Sequence, residues 1–393
     1  MRLPIIIVLS VMILSVITDF YIYKQIVVAC RSRLVVWVHW MFSLALYILF
    51  IVLAIMPKDV IDNDYLLLVM WMMFIYLSIY APKFCALFIS LWGYLFKVKV
   101  RRKLNIVAAV IGITGCAIIW YSAIHTRLSA EVTAVEIEFD NLPAAFDGYM
   151  IAQFSDAHLG SYGEDTEFVE ECVALINSLG ADAIVFTGDI VNRQTSEIEP
   201  FIEVLSSLSA EDGIFSILGN HDYGDYMQWE SERDKIEDRK YLVDTQSDMG
   251  WTMLNNDYRV IRRGNDSIMM IGVENWGEPP FKIYGDLMSA YPNLNDGNFK
   301  VLLSHNVVHW SHEVLPLTNV DLTLSGHTHA MQFCVTIFGH KYSPAFLRYK
   351  EWGGLYKSDS QYLYVNIGLG TVAIPMRVGA VPEITLITLK KIS

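Results

Sequence analysis

The decapeptide Leu324-Ser-Gly-His-Thr-His-Ala-Met-Gln-Phe333 sets two imidazoles one residue apart, directly after a short apolar run. Four other segments share that build: Phe154-Ser-Asp-Ala-His158, Phe186-Thr-Gly-Asp-Ile-Val-Asn192, Leu218-Gly-Asn-His-Asp222 and Leu303-Ser-His-Asn306. Together they offer Asp156, His158, Asp189, Asn220, His305, His327 and His329, oxygen and imidazole ligands with no thiolate. That mixture suits divalent Mn, Fe or Zn better than Ca, which prefers oxygen alone. Seven ligands exceed the need of one ion. If one carboxylate is shared, two ions receive four protein ligands each and keep positions for water and substrate. Asp-x-His on its own is a common triplet. Five such blocks, each closing an apolar run, are not what ordinary strand-to-loop turns produce, and clustered His and Asp at one rim read as a metal site. Gly188, Gly219 and Gly326 precede ligands where the backbone must turn without a Cβ in the way.

The apolar runs give the elements that position these groups. Strands are expected at Ala134–Phe139, Tyr149–Phe154, Ala183–Phe186, Gly213–Leu218, Ile268–Val273, Lys300–Leu303, Leu322–Leu324 and Leu363–Ile367. Thr166–Leu179 and Glu197–Ser209 have helical spacing. Strands alternating with helices argue for an α/β domain, and ligands gather at the carboxyl ends of its strands. Tyr223–Gly250 is long, charged and aromatic, with helix expected inside Trp229–Lys240. It reads equally as a flap over the site or as a surface excursion.

The front of the chain is different. Leu3–Tyr23, Leu34–Met56 and Ile106–Ile124 are each long and apolar enough to cross a bilayer. Tyr65–Phe96 contains Pro82-Lys83 and reads as one long kinked span or two short ones. Lys24, Arg31 and Arg33 follow the first span, Lys58, Asp59, Asp62 and Asp64 the second, and Lys97-Val-Lys-Val-Arg-Arg-Lys103 precedes the last. Four spans put both basic loops on one side, which the positive-inside rule makes cytoplasmic. The expected division is a membrane domain, 1–128, and a catalytic domain, 129–393, outside the cytoplasm at the cell membrane. Asp19, His39 and His125 lie in or beside spans. Asp19 and His125 are near span ends, where they can reach water, and His39 is solitary, so none reads as part of a transport pathway.

Charge divides the chain in the same place. Twelve of the 29 Lys and Arg, but only four of the 42 Asp and Glu, lie before residue 129, so the remainder carries 17 basic against 38 acidic residues. A surface that acidic argues against nucleic acid as a partner. The five cysteines show no paired spacing, so neither a disulfide framework nor a cysteine zinc site is expected, with a Cys172–Cys334 bridge left open.

Over roughly residues 133–390 these blocks resemble the calcineurin-like metallophosphoesterase family, in particular its membrane-anchored bacterial branch. The resemblance implies two mixed β-sheets sandwiched between helices, with a dinuclear metal centre at one edge. It assigns Asp156, His158 and His329 to one ion, Asn220, His305 and His327 to the other, and Asp189 to both. His221 would be the general acid, with Asp222 orienting it. Relatives often read Gly-His-Thr-His-Gly-Gly-Gln, where this chain has Ala330 and Met331 after the second histidine. The tail Asn366-Ile-Gly-Leu-Gly370, Arg377 and Pro382-Glu383 resembles the family's closing segment. Arg377 reads as a structural ion pair in preference to a substrate contact. The implied activity is hydrolysis of phosphoesters by two divalent ions. Phosphodiesters, lipid-linked ones included, are the favoured substrates. Monoesters, phosphoproteins or nucleotides, and a non-catalytic metal-stabilised membrane sensor, are the alternatives.

Overall fold

A computed structural model describes residues 5–57, 62–279 and 281–392. The charges expected of Lys58 and Asp59 fall outside the described residues. The chain divides into two compact units, 1–124 with 373–376, and 125–372 with 377–393.

Among the described residues the first unit holds four long apolar helices: α1 (Ile5–Ile22), α2 (Arg33–Ile55), α3 (Asn63–Trp92) and α4 (Val98–Ile124). Each is long and apolar enough to cross a membrane. Ser32 caps α2 by accepting from the Val35 amide, and Asp62 caps α3 by accepting from the Asp64 amide. The stretch 65–96 is therefore one helix through most of its length, with Pro82 inside it. Gly112 and Gly115 of α4 face Pro82, where a Cβ at either would already touch α3. Small residues at such a crossing let helix backbones approach closely in lipid.

Asp19 does not reach water. It is fully buried, and its carboxylate accepts from Tyr47 Oη at 2.7 Å, Tyr80 Oη at 2.7 Å and Lys83 Nζ at 2.9 Å. Nor is His39 solitary: its Nε2 lies 3.2 Å from the Asp19 carbonyl. Three helices thus meet at one carboxylate.

Among the described residues the second unit carries fourteen strands: β1 (Glu131–Phe139), β2 (Met150–Phe154), β3 (Ala183–Phe186), β4 (Ile214–Ser216), β5 (Thr252–Met253), β6 (Asp257–Arg263), β7 (Asp266–Gly272), β8 (Phe299–Leu303), β9 (Leu322–Ser325), β10 (Val335–Ile337), β11 (His340–Tyr342), β12 (Gly354–Ser358), β13 (Gln361–Val365) and β14 (Glu383–Lys391). They form two mixed six-stranded sheets, ordered β1-β14-β2-β3-β4-β5 and β12-β13-β9-β8-β7-β6, and one separate hairpin, β10-β11. The central strands β2, β3, β4, β7, β8 and β9 run parallel within their sheets. β3 and β8 are buried along their whole length, which suits strands covered on both faces.

The two faces of β3 show the layering. Ile184 and Phe186 pack with Cys172, Val173 and Ile176 of α5 (Glu167–Ser178), while Ala183 and Val185 join Met270, Val301 and Leu324 of the other sheet. On that sheet's far side, Ile271, Leu302 and Val365 pack with Trp310 and Val314. Helix, sheet, sheet and helix therefore stack as expected of the family.

The expected helix Glu197–Ser209 is mostly a 3₁₀ stretch, Thr195–Phe201, running into the single turn α6 (Ile202–Leu205). Pro200 explains the break, since it cannot donate the backbone bond an α-helix needs there. α7 (Glu232–Asp248) extends the helix expected at 229–240 and buries Leu242, Thr245 and Gln246 in the unit. Cys172 and Cys334 are both free thiols.

Candidate metal centre

The motif residues meet just past the ends of β2 and β3 of one sheet and of β8 and β9 of the other, and after Leu218. Asp156, Asp189, His158, His327 and His329 all have left-handed backbone, with φ of 51°, 63°, 45°, 74° and 50°. Such conformations are costly for residues with a Cβ and persist where surrounding structure fixes them, typically at functional sites. The glycines act by two routes. Gly188 has φ of 92° and needs its freedom. Gly219 and Gly326 are there for space: a Cβ on Gly219 would strike the Asp189 carboxylate, and one on Gly326 would strike Ser155 and Asp156.

Three overlapping groups have ligand atoms within 4.8 Å of one another: Asp156, His158 and His329; His158, Asp189 and His221; Asp189, His305 and His327. Asp189 belongs to two of them, and His327 and His329 fall into different ones. Asn220 completes the last, with Oδ1 3.1 Å from His305 Nε2. All seven predicted ligands are therefore brought together.

The donor set tests whether cations fit. His158 and His305 direct Nδ1 at backbone carbonyls, Val191 at 3.2 Å and Thr187 at 2.7 Å, so each ring turns its Nε2 inward. His305 Nε2 is met by Asp189 Oδ2 at 3.2 Å, Asn220 Oδ1 at 3.1 Å and His327 Nδ1 at 3.2 Å. One proton cannot serve three acceptors, whereas a cation between them can. His329 differs. Arg377 Nη2 lies 3.1 Å from its Nδ1, and a guanidinium only donates, so the metal-free ring carries its proton on Nε2, between His158 Nε2 and Asp156. A cation on that side has to displace that proton.

Electrostatics point the same way. Burial opposes the charge on Asp156, but His329 and then His305 outweigh it and hold the carboxyl well below the usual range. Asp189 is held low against burial by His305 and His221. Burial, then the charge of neighbouring histidines, lowers His158 far and pushes His327 to about 3. Burial also opposes charge on His305, yet Asp189 and Asp156 raise it to about 9. The carboxylates are thus ionised, two key imidazoles neutral, and a proton on His305 sits where a cation would balance Asp189.

Asp222 does not orient His221. One Asp222 oxygen accepts from the Asp189 and Gly219 amides, both at 2.8 Å, and the other from the Ile190 amide at 2.9 Å. It ties down the loop that carries Asp189. The His221 ring is set instead by the Asn192 carbonyl, 2.7 Å from Nδ1, and by stacking on Tyr226 at 4.1 Å between centroids. Arg377 is not the expected ion pair. Fully buried, it donates to the carbonyls of Gly370, Ala380 and Ile367 and backs His329. Tyr349 Oη, 3.0 Å from His327 Nε2, and Tyr226 Oη, which accepts from Asn220 at 2.8 Å, are marked by no sequence motif. Of the stretch Tyr223–Gly250, it is Tyr226 that reaches the site.

The sequence has clear relatives. The sequence profile of calcineurin-like phosphoesterases matches residues 149–331. The uncharacterized metallophosphoesterase YkuE of Bacillus subtilis is 33% identical over 272 residues, covering 66% of this chain and 85% of the relative. The uncharacterized metallophosphoesterase Cj0846 of Campylobacter jejuni is 26% identical over 403 residues, covering 97% of both chains. A Danio rerio transmembrane protein with metallophosphoesterase domain is 29% identical over 69% of this chain and 60% of its own length. The chain belongs to the calcineurin-like metallophosphoesterase family.

Proposed function

We propose that the protein is a membrane-anchored phosphodiesterase with a dinuclear metal centre, residues 1–128 forming the anchor and 129–393 the catalytic domain. The observation that carries this reading is the place of Asp189, between the Asp156–His158–His329 group and the Asn220–His305–His327 group. Asp156, His158 and His329 would hold one divalent ion, Asn220, His305 and His327 the other, and Asp189 both. Two such ions, Mn, Fe or Zn, supply Lewis acidity and a water made acidic enough to yield a nucleophile at neutral pH.

The chain's own residues do the rest. His221 donates its Nδ1 proton to the Asn192 carbonyl, so Nε2 faces the site. As a general acid the ring must first take up a second proton there, which burial opposes and the Asp189 charge favours, and Nε2 then passes that proton to the leaving oxygen. Asp222 keeps the Asp189 loop rigid, and Tyr226 fixes the plane of the His221 ring. A lipid-linked phosphodiester is the substrate favoured by an anchor in the bilayer. The basic loops at 24–33 and 97–103 favour a catalytic domain outside the cytoplasm.

The deciding experiment uses the full-length protein with Mn²⁺ against monoesters, soluble diesters and phospholipid headgroups, with bound metal counted by elemental analysis. Two ions per chain and preferential turnover of diesters are expected. One ion, or monoester turnover alone, refutes the reading. A reporter active only outside the cytoplasm, fused after Ser393, should be active. A silent one overturns the orientation.

A further inference from the structure

Between His329 and Tyr349, both of which touch the metal centre, the chain makes an excursion that the chemistry leaves unused. β10 and β11 pair antiparallel, Val335 with Tyr342 and Ile337 with His340. Side chains alternate along a strand, so Val335, Ile337 and Tyr342 share one face while Thr336 and Lys341 share the other. Phe338 at the tip is 98% exposed, and Leu347 in the following turn is 78% exposed. Met331, Phe333 and Phe346 are exposed as well. An apolar patch of this kind on a folded domain marks an interaction surface.

Charge identifies what it meets. Residues 129–393 carry 17 basic against 38 acidic residues, yet Met331–Lys350 holds Lys341, Arg348 and Lys350 and not one Asp or Glu. Arg348 is paired with Glu278 at 2.9 Å and Lys350 lies 3.7 Å from Glu351, which leaves Lys341, on the hairpin itself, as the cation that faces the lipid. Aromatic and aliphatic side chains beside cations fit an anionic lipid surface, where apolar groups enter the acyl boundary and cations meet phosphates. Six residues separate Ile124, the end of α4, from Glu131, the start of β1. Six residues span roughly 20 Å even if fully extended, and Thr126–Leu128 form a 3₁₀ turn, so the start of β1 is tethered within that distance of α4.

We propose that Met331–Lys350 is a lipid-docking surface, with Phe338 at its tip entering the interface of the membrane that holds the chain. It rests on the reading of the protein as a membrane-anchored phosphoesterase and deepens it. Because the segment starts at His329 and returns at Tyr349, docking puts the mouth of the metal centre among phospholipid headgroups. The base is firm enough to carry such a load. The Cys334 amide donates to the Val378 carbonyl at 2.8 Å, and Ala330, Cys334 and Ala380 pack into a small core with Trp352 and Ile367.

The test uses the full-length protein in vesicles of phosphatidylethanolamine and phosphatidylglycerol. Photoreactive benzoylphenylalanine replaces Phe338 or, as an exposed control on α7, Ile236. Lipid adducts at 338 should exceed those at 236 by about tenfold or more. Equal yields, or none at 338, overturn the proposal whatever substrate the enzyme turns over. Adduct formation requires neither metal nor turnover. Adducts at 338 together with failure to hydrolyse any bilayer phosphoester would therefore uphold the docking surface and sink the lipid-linked substrate. As a second readout, the double variant Ile337→Asp, Phe338→Asp should raise KM for a vesicle-borne diester about tenfold and leave kcat on soluble bis(nitrophenyl) phosphate unchanged. Equal losses on both substrates would make the hairpin a support of the site and overturn docking.

Discussion

Asp19 and Asp189 are both buried carboxylates, and they differ in how their charge is answered. Around Asp19 the protein supplies everything: two phenols and one ammonium. Around Asp189 it supplies imidazoles that are themselves bases, among them His305 and His158 at 3.2 and 3.7 Å. The first cluster is complete as a protein. The second could hold a metal ion. A buried charge on its own is therefore a poor sign of function, since a saturated one fixes helices in register and an unsaturated one surrounded by lone pairs binds metal.

The strongest way to break this contrast is Asp189→Asn. Removing the shared charge should release both ions, and activity should fall by more than the roughly 10²–10⁴-fold that a single proton donor supplies. Full metal content with full turnover would show that Asp189 bridges nothing. Next comes His221→Ala. If the ring only gives a proton, loss should approach roughly 10²–10⁴-fold on alkyl phosphodiesters, whose leaving oxygen is basic, and be much smaller on nitrophenyl esters. Metal content should hold. Loss of an ion would move His221 from acid to ligand, a role its closeness to His158 and Asp189 makes worth testing.

The smallest effect belongs to the saturated cluster. Asp19→Ala leaves the Lys83 ammonium without its counter-ion and should cost about 3–5 kcal/mol in detergent unfolding, with metal content unchanged. Adding Lys83→Met should restore much of that loss, because the stranded charge is gone. A double variant no better than the single would mean that the phenols, not the ion pair, hold the helices.

Much of this is legible in the sequence, for physical reasons. The four apolar helices, the central parallel strands and all seven clustered residues follow from apolar runs whose ends carry His, Asp or Asn. The edges are less visible. β6, Asp257–Arg263, is half-exposed and charged, so no apolar run marks it. β5 has only two residues. Among site residues, Asn192 acts through its carbonyl and Arg377 through packing against carbonyls, and neither role leaves a trace in residue type. Adjacency in sequence points Asp222 at His221, whereas its oxygens answer amides on another loop. A place near a helix end suggests that Asp19 meets water. Tyr47, Tyr80 and Lys83, which enclose it, come from two other helices.

The first sheet also dictates an order of biosynthesis. β1 sits at the sheet edge with β14 as its neighbour, and β14 lies between β1 and β2. The ribosome must therefore make some 240 further residues after β1 before its partner exists, about 12–50 s at typical synthesis rates. The four helices are complete long before that. Throughout the interval β1 is an unpaired strand on a nascent chain, and a stop codon placed just before β14 would leave it so permanently. Synthesis of β14 is thus the step that licenses the whole second unit, and nonsense or frameshift changes that remove this strand should behave like deletions of the entire unit.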